Sequence, residues 1–484
     1  MFFKNKKVLL VGLGILGGGV GTANYLIESG ADLTITDLKN KKDLHRSIKK
    51  IKSKKITYRL GRHDEKDFKK ADIIVFNQSV PFGSHWVKFA IKLQKPIESD
   101  LTIFSDSLKR NKGEYIGITG TRGKTTTSNW LAHFLPEATM GGNMPEKGLL
   151  CLDRGPSSTS RGRSSVPQLF VLELSSFQLE YSNPKTLAPK IAIITNLYVD
   201  HVNYHGTLKK YFEAKFKIFK NQTKNDYLIL NRDNKNTSLI LKEKPKAKIY
   251  FFSLSSLPKN QNGLFATDDQ IIFQEDGKQK LICELKKDFS GHLRSNLLPA
   301  MLGAHLEEGS RTSRIPRSPT SWESICKRIH GLPEVPMRQE IILKNKNVTV
   351  INDSAATSPE ATIAAIERFA KGEPFGKPLI LICGGTDKQL EFKDLAKKIN
   401  KYIKPENHFL LEGSATNKLI RQLKFKKVRT FKTLKDIVQV LPKEGTIVFS
   451  PAAASFEKFK NEFDRGEQFN KLIKGKFGGK IGGR

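Results

Sequence analysis

An apolar strand that runs straight into Gly117-Ile-Thr-Gly-Thr-Arg-Gly-Lys-Thr-Thr-Thr127 restricts the fold more than any other stretch of the chain. Glycines let the backbone turn tightly and aim successive N–H groups at one point, and the following helix adds its positive N-terminal end. Lys124 stands where it can bridge phosphate oxygens, and the Thr125 hydroxyl where Mg2+ would need it. A strand–loop–helix unit of this kind belongs to an α/β protein with a parallel sheet. The strict GxxxxGK[ST] pattern wants glycine at position 118, and this chain has Ile118, flanked by Gly117 and Gly120. The plain alternative is a Gly- and Thr-rich turn that holds nothing.

A second turn of the same type lies near the N-terminus. Gly12-Leu-Gly14-Ile-Leu-Gly17 follows the apolar run Val8–Val11 and opens a helical stretch to about Glu28. Leu33–Thr36 reads as the next strand and ends at Asp37, twenty residues after Gly17. That spacing fits a dinucleotide fingerprint, with backbone and helix N-terminus on a pyrophosphate and the carboxylate on a ribose. An NAD dehydrogenase would use it, but a UDP-sugar offers the same diphosphate and ribose. Glycines serving only helix–strand packing would look alike.

The 484 residues are enough for roughly three domains. Ala71–Phe76 completes a β-α-β pattern in the first block. The second block begins near Tyr115, with strands at Leu169–Glu173, Ile191–Asn196 and Tyr227–Asn231. The third follows Gly331-Leu-Pro, with strands at Val348–Asn352, Leu379–Cys383, His408–Leu411 and Thr446–Ser450. Ser358-Pro-Glu is a helix start, with serine as cap and proline in the first turn. The expected fold is therefore α/β with three domains at 1–110, 111–331 and 332–484, each on a mostly parallel sheet. The first and third read as Rossmann-like and the central one as P-loop ATPase-like. Two stretches rich in Ser, Arg, Pro and Gly, 154–167 and 308–321, read as surface insertions.

Composition excludes several classes. No apolar run is long enough to span a bilayer, and the opening MFFKNKKVLLVGLG does not read as a signal peptide. The four cysteines include no CxxC pair, which speaks against a zinc site or a disulfide framework and for a reducing cytoplasm. The net charge of +35 raises nucleic-acid binding. The lysines are scattered without a block or a nucleic-acid motif, so the reading is a basic surface that binds no nucleic acid but still attracts anionic nucleotides.

Three further stretches carry chemistry. Leu172-Glu173-Leu-Ser175-Ser-Phe-Gln178 ends an apolar strand in a carboxylate, where α/β sheets place ligands and where Mg2+ could sit beside phosphates. Thr195-Asn196-Leu-Tyr-Val-Asp200-His201 follows the next apolar strand and offers a neighbouring metal-binding or orienting pair. In Tyr211–Phe219, residues 212, 215 and 219 share a helix face, so Lys215 interrupts an aromatic stripe. Its amine either snorkels to water or, partly desolvated, gives up its proton and reacts.

GITGTRGKTTT, Gly141-Gly-Asn143, ELSSFQLE at Glu173–Glu180, TNLYVDHVNYHG at Thr195–Gly206 and EAKFKIF, taken together and in this order, resemble the Mur ligases of bacterial cell-wall synthesis. INDSAAT at Ile351–Thr357 and SPAAASFEKFKNEFDRG at Ser450–Gly466 resemble the branch that adds D-glutamate to UDP-N-acetylmuramoyl-L-alanine. The likeness covers the chain outside the two insertions. It implies an ATP-dependent ligase that works through an acyl phosphate, cytoplasmic and monomeric. Gly120, Thr121, Arg122, Gly123, Lys124, Thr125, Thr126, Asn296, Arg338 and Asp353 would then meet ATP. The N-terminal turn would hold UDP, with Gly14, Ile15, Leu16 and Asp37 at contact positions. Asn143, Ser175, Gln178 and His201 would face the muramoyl-alanine arm.

The same resemblance implies two Mg2+, served by Thr125, Glu173, His201 and a carbamylated Lys215. Lys124, His201 and Lys215 are its catalytic residues, and Thr357, Lys388, Ser455 and Phe456 its glutamate pocket. Three departures stand out. Ala355 replaces a common lysine, His292-Leu-Arg-Ser-Asn296 replaces the usual HNxxN, and Asn77-Gln-Ser79 replaces the usual SPG. The first leaves the L-glutamate-adding variant as an alternative. A nucleic-acid-stimulated P-loop ATPase is the more distant one.

Overall fold

A computed structural model describes residues 2–15, 17–53, 55–143, 148–152, 169–285, 289, 291–309, 321–370, 377–425 and 427–478. The chain forms two compact units, Met1–Leu332 and Pro333–Arg484. The stretch 154–167 and most of 308–321 lie outside the described residues.

The first unit carries two sheets. The N-terminal one is fully parallel, in the order Thr57–Leu60, Asp32–Asp37, Lys7–Val11, Ile73–Phe76, Ile97–Glu98. Val8–Val11 is buried on both faces, which is why it reads as an unbroken apolar run. The strand order reverses at Lys7–Val11, and the glycine turn leaves the carboxyl end of that strand. This is the switch point where open α/β sheets take ligands.

The second sheet has nine strands, in the order Lys278–Glu284, Gln270–Glu275, Gly263–Ala266, Lys248–Ser253, Tyr227–Asn231, Ile191–Ile194, Glu114–Thr119, Leu169–Glu173, Thr139–Gly142. Seven strands run parallel, and Gln270–Glu275 and Lys278–Glu284 add an antiparallel hairpin at one edge. The hairpin turn is Asp276-Gly277, both at positive φ (49° and 75°), the pair that a tight two-residue turn requires. Glu114–Thr119 is again the reversal point, flanked by Ile191–Ile194 and Leu169–Glu173. Three strand ends thus open side by side: Thr119, Glu173 and Ile194.

Helix Leu208–Lys220 starts at Thr207, whose hydroxyl accepts from Lys210 N, and it buries Tyr211, Phe212, Phe216, Ile218 and Phe219. Each such side chain contributes about 1.5–3 kcal/mol of burial, so the helix is fixed firmly under the sheet edge. Helix Gly291–Gly309 packs against helix Lys124–Phe134 on the other face. The second unit is a six-stranded sheet, in the order Glu340–Lys344, Val348–Asn352, Gly445–Phe449, Leu379–Cys383, His408–Leu411, Arg429–Phe431. Only its first edge pair is antiparallel.

Candidate active site

The central glycine loop is shaped by what presses on it. Gly120 (φ +145°) and Gly123 (φ +80°) hold backbone conformations that side chains resist. A Cβ on Gly120 would meet Thr195 Oγ1 at 1.9 Å, and one on Gly123 would meet Asn296 Oδ1 at 2.2 Å. Asn196 threads the loop from the neighbouring strand end. Its carbonyl accepts from Thr121 N (3.0 Å) and its Oδ1 from Arg122 N (2.8 Å), while its Nδ2 donates to Arg122 O (3.1 Å). Lys124 Nζ folds back to donate to the carbonyls of Gly120 (3.2 Å) and Thr121 (3.4 Å). Thr125 Oγ1 donates to Glu173 Oε2 at 2.7 Å, so the helix start and the adjacent strand end bring two hard oxygen ligands to one point. Such donors suit Mg2+.

Lys215 does not snorkel to water. It is 2 % exposed, and Nζ donates to Gly120 O at 2.8 Å over the ring of Tyr211. Burial drives its pKa well below that of an ordinary lysine, and the positive charge of Lys124 pushes the same way. A buried amine of weakened basicity thus lies directly against the glycine loop. Tyr211 OH reaches Thr121 Oγ1 (3.1 Å), tying the same helix to the loop. Arg122 Nη1 donates to Asp200 Oδ2 at 2.7 Å, and Asp200 is itself buried. His201 follows in the left-handed region (φ 50°), its Nε2 3.7 Å from the Asp200 carboxylate and its ring packed edge-on against Phe177. Among the described residues no three His, Cys, Asp or Glu side chains gather as a ready-made metal cage. A cation beside Thr125 and Glu173 would fill its remaining positions with phosphate oxygens and water.

The N-terminal turn is built differently. Gly12, Gly14 and Gly17 all have positive φ, and close helix packing falls on Gly19, where a Cβ would lie 2.2 Å from Leu13 O. Asp37 is committed to the turn itself. Its Oδ2 accepts from Leu13 N and Gly14 N, both at 2.9 Å, and its Oδ1 accepts from Lys39 N at 2.8 Å. Ile15 is exposed beside the turn, and Leu16 lies outside the described residues. Ser175 caps the short helix Ser176–Leu179 and donates to Gln78 Oε1 at 3.0 Å, while Gln178 Nε2 donates to Asp100 Oδ2 at 3.1 Å. The segment around Gln78 is held further by Tyr204 OH and Tyr181 OH, which donate to the carbonyls of Gln78 and Val80. Asn143 N donates to Glu173 O at 2.8 Å.

In the second unit, Asp353 is buried, accepting from Gln339 N (3.1 Å) and Ser450 Oγ (2.7 Å). Burial pushes its pKa up to about 7. Lys388 Nζ reaches Thr357 Oγ1 at 3.4 Å. Ser455 is buried, and the adjacent Phe456 side chain stands out at 67 % exposure.

Comparison with known proteins bears on this geometry. Residues 118–301 match the model of the Mur ligase middle domain, and 337–452 that of the Mur ligase glutamate ligase domain. The UDP-N-acetylmuramoylalanine–D-glutamate ligase of Roseiflexus sp. is 33 % identical over 98 % of this chain and 99 % of its own. The like-named protein of Borreliella afzelii is 34 % identical over 97 % and 98 %. The chain belongs to the Mur ligase family. Among solved structures, UDP-N-acetylmuramate–alanine ligase MurC of Thermotoga maritima superposes with a TM-score of 0.57 at 19 % identity, covering 97 % of this chain and all of the other. MurF of Acinetobacter baumannii does so with 0.58 at 15 %, covering 98 % and 91 %; both likenesses concern the fold.

This Mur ligase brings Gly120–Thr126, Glu173, Lys215 and Asn296 into one place in its first unit, with Asp200 and His201 at the rim. Thr357 and Lys388 meet in the second unit. The sequence reading passed over Asn196, Gln78 and Tyr211. Asn196 stood inside a recognised motif, but the stitching of its amide into the loop is a matter of three-dimensional register. Gln78 sat in a stretch marked only as a departure.

Proposed function

We propose that this Mur ligase joins the amine of D-glutamate to the L-alanine carboxylate of UDP-N-acetylmuramoyl-L-alanine, driven by ATP, in peptidoglycan precursor synthesis. The observation that carries the site assignment is the convergence of Thr125, Glu173, Lys124 and buried Lys215 on one strand-end loop. A carboxylate and an ammonium do not condense unaided in water. An alanine carboxylate oxygen attacks the γ-phosphorus of ATP, the bond to the β-γ bridging oxygen breaks, and ADP leaves. The glutamate amine, having lost a proton, attacks the acyl phosphate carbonyl, and the tetrahedral intermediate expels inorganic phosphate with its electron pair.

The first step brings two anions together, so the loop N–H groups and Lys124 must spread the charge. Arg122, 2.7 Å from Asp200, orients the loop rather than standing free in it. We assign Thr125 and Glu173 to one Mg2+, and His201 with Lys215 to a second. Bound there, the ions would neutralise the phosphate oxygens. Lys215 serves that role only as a carbamate, because an ammonium offers no lone pair. Its burial and depressed basicity favour the free amine that carbon dioxide requires. The N-terminal turn is assigned to UDP, with Asp37 acting by shaping the turn. Domain limits at 1–110, 111–331 and 332–484, a monomeric state and a cytoplasmic setting complete the reading; no helix among the described residues is long and apolar enough to cross a membrane.

The test is phosphate release from ATP with UDP-N-acetylmuramoyl-L-alanine, comparing D- with L-glutamate. Release dependent on D-glutamate is expected. Release with L-glutamate alone points to the variant that Ala355 leaves open, and release driven by nucleic acid without either substrate overturns the reading.

A further inference from the structure

Arg465 is among the largest fully buried side chains of the described residues, at 0 % exposure. It lies in the first turn of helix Glu462–Phe477, the end where a cation is least welcome to the helix dipole. Among the described residues no carboxylate pairs with it. Its partners are neutral: Nε donates to Ser354 Oγ (3.2 Å), Nη1 to the carbonyls of Ala453 (3.0 Å) and Ala454 (3.2 Å), and Nη2 to Ser354 O (2.8 Å). An isolated buried charge is costly unless hydrogen bonds compensate it. Four acceptors use four of the five guanidinium hydrogens, and its pKa, pushed down to about 10 by burial, leaves it a cation at neutral pH.

The acceptors are not scattered. Ser354 belongs to the loop that continues to Thr357, and Ala453–Ala454 to the loop that continues to Ser455. The two loops leave neighbouring parallel strands, Val348–Asn352 and Gly445–Phe449, and Arg465 is the cross-piece between them. Around it stand Gly385, Thr386, Ala454, Ser455 and Phe459. Thr386 and Ala454 bridge as an antiparallel pair across it. A Cβ on Gly385 would lie 2.7 Å from Ala454 O and 3.5 Å from Arg465 Nη1, so the wall has no room to shift. The Ser455 hydroxyl is buried there and has no hydrogen-bond partner among the described residues. Glu462 and Asp353 act on Arg465 only through space, without a direct ion pair among the described residues, and a buried hydroxyl left open beside such a cation is a setting for a carboxylate.

We infer that Arg465 is a positioning residue for the acceptor amino acid, locking the 354 and 453–454 backbones so that Thr357 and Ser455 meet a carboxylate of the incoming glutamate. This rests on the ligase reading given above and on the assignment of Ser455 to the glutamate pocket. Lysine keeps the charge of Arg465 but loses the planar fork that spans both loops.

The test compares Arg465→Lys and Arg465→Met with the parent protein, with folding followed by circular dichroism and melting temperature. Three Michaelis constants are measured, and hydroxylamine traps the acyl phosphate formed without glutamate. In Arg465→Lys the KM for D-glutamate is expected to rise about tenfold, as removal of one charge-assisted hydrogen bond would give. The KM values for ATP and the UDP substrate, and the trapped hydroxamate, should stay within about twofold. Arg465→Met should raise the glutamate KM further. A folded Arg465→Lys with unchanged glutamate KM, or with all three constants moved alike, overturns the inference. Should neither variant fold, Ser354→Ala, which removes the Nε acceptor together with the Ser354 Oγ bond to Glu462 O (2.7 Å), is expected to raise the glutamate KM a few-fold, and an unchanged value overturns the inference. Absence of hydroxamate in the parent protein would strike at the ligase reading instead.

Discussion

The two glycine turns of the first unit share a backbone plan and differ in what surrounds it. Both leave the carboxyl end of a strand at a reversal point, and both use positive-φ glycines before a helix. Around Gly120–Thr125 stand Lys124, Arg122, Lys215, Glu173 and Asp200, an array of charge at least partly removed from water. At Gly12–Gly17 stands Asp37, whose carboxylate accepts from Leu13 N, Gly14 N and Lys39 N. In the function proposed above, the same turn holds a phosphate group passively in one place and transfers one in the other. Side chains donated by other strands and helices, not the glycines, decide which.

This contrast can be broken at several points. Lys124→Ala should lower kcat about a thousandfold, since it removes the lysine to which the proposed function gives the phosphate charge. Trapping of acyl phosphate with hydroxylamine reads the loss, and wild-type trapping would erase the difference between the turns. Lys215→Ala should cost about a hundredfold, with partial recovery in added short carboxylates that stand in for the missing oxygen ligand. Absence of any recovery argues that the lysine acts as an amine. Gly123→Ala combines a strained φ with the Asn296 clash and should raise the KM for ATP about tenfold. The counterpart Gly14→Ala has open space around its Cβ, and only its φ of +65° opposes the change. It should cost about 1 kcal/mol of stability, seen as a lower melting temperature, with kcat untouched. Smallest of all, Asp37→Asn should raise the KM for the UDP substrate a few-fold without changing kcat, because one of its oxygens becomes a donor facing N–H groups. A large fall in kcat there would mean that the N-terminal turn shares in the chemistry.

The same contrast explains what was legible in the sequence. Both turns were visible because glycine spacing after an apolar strand is a local signal, and buried parallel strands announce themselves as unbroken apolar runs. Thr125 and Glu173 were each legible as an oxygen ligand at a strand end, and their pairing was implied by the resemblance. The behaviour of Lys215 was half legible: its place on an aromatic face was plain, but its bond to Gly120 O depends on how helix Leu208–Lys220 lies under the sheet. Asp37 shows the converse. Spacing pointed it at a ribose, and its bonds to the N–H groups of its own loop were not legible there. Arg465 stood within a recognised motif as one more charge, and nothing local said that it would be fully buried. The hairpin at Gln270–Glu284 had an Asp-Gly turn signal that was present and passed over.

The most direct test of the account follows an oxygen atom. UDP-N-acetylmuramoyl-L-alanine carrying 18O in the alanine carboxylate is incubated with ATP and D-glutamate, and the released phosphate is analysed by mass spectrometry. Passage through an acyl phosphate predicts one 18O in each phosphate formed per amide. Amide formation with unlabelled phosphate would contradict it.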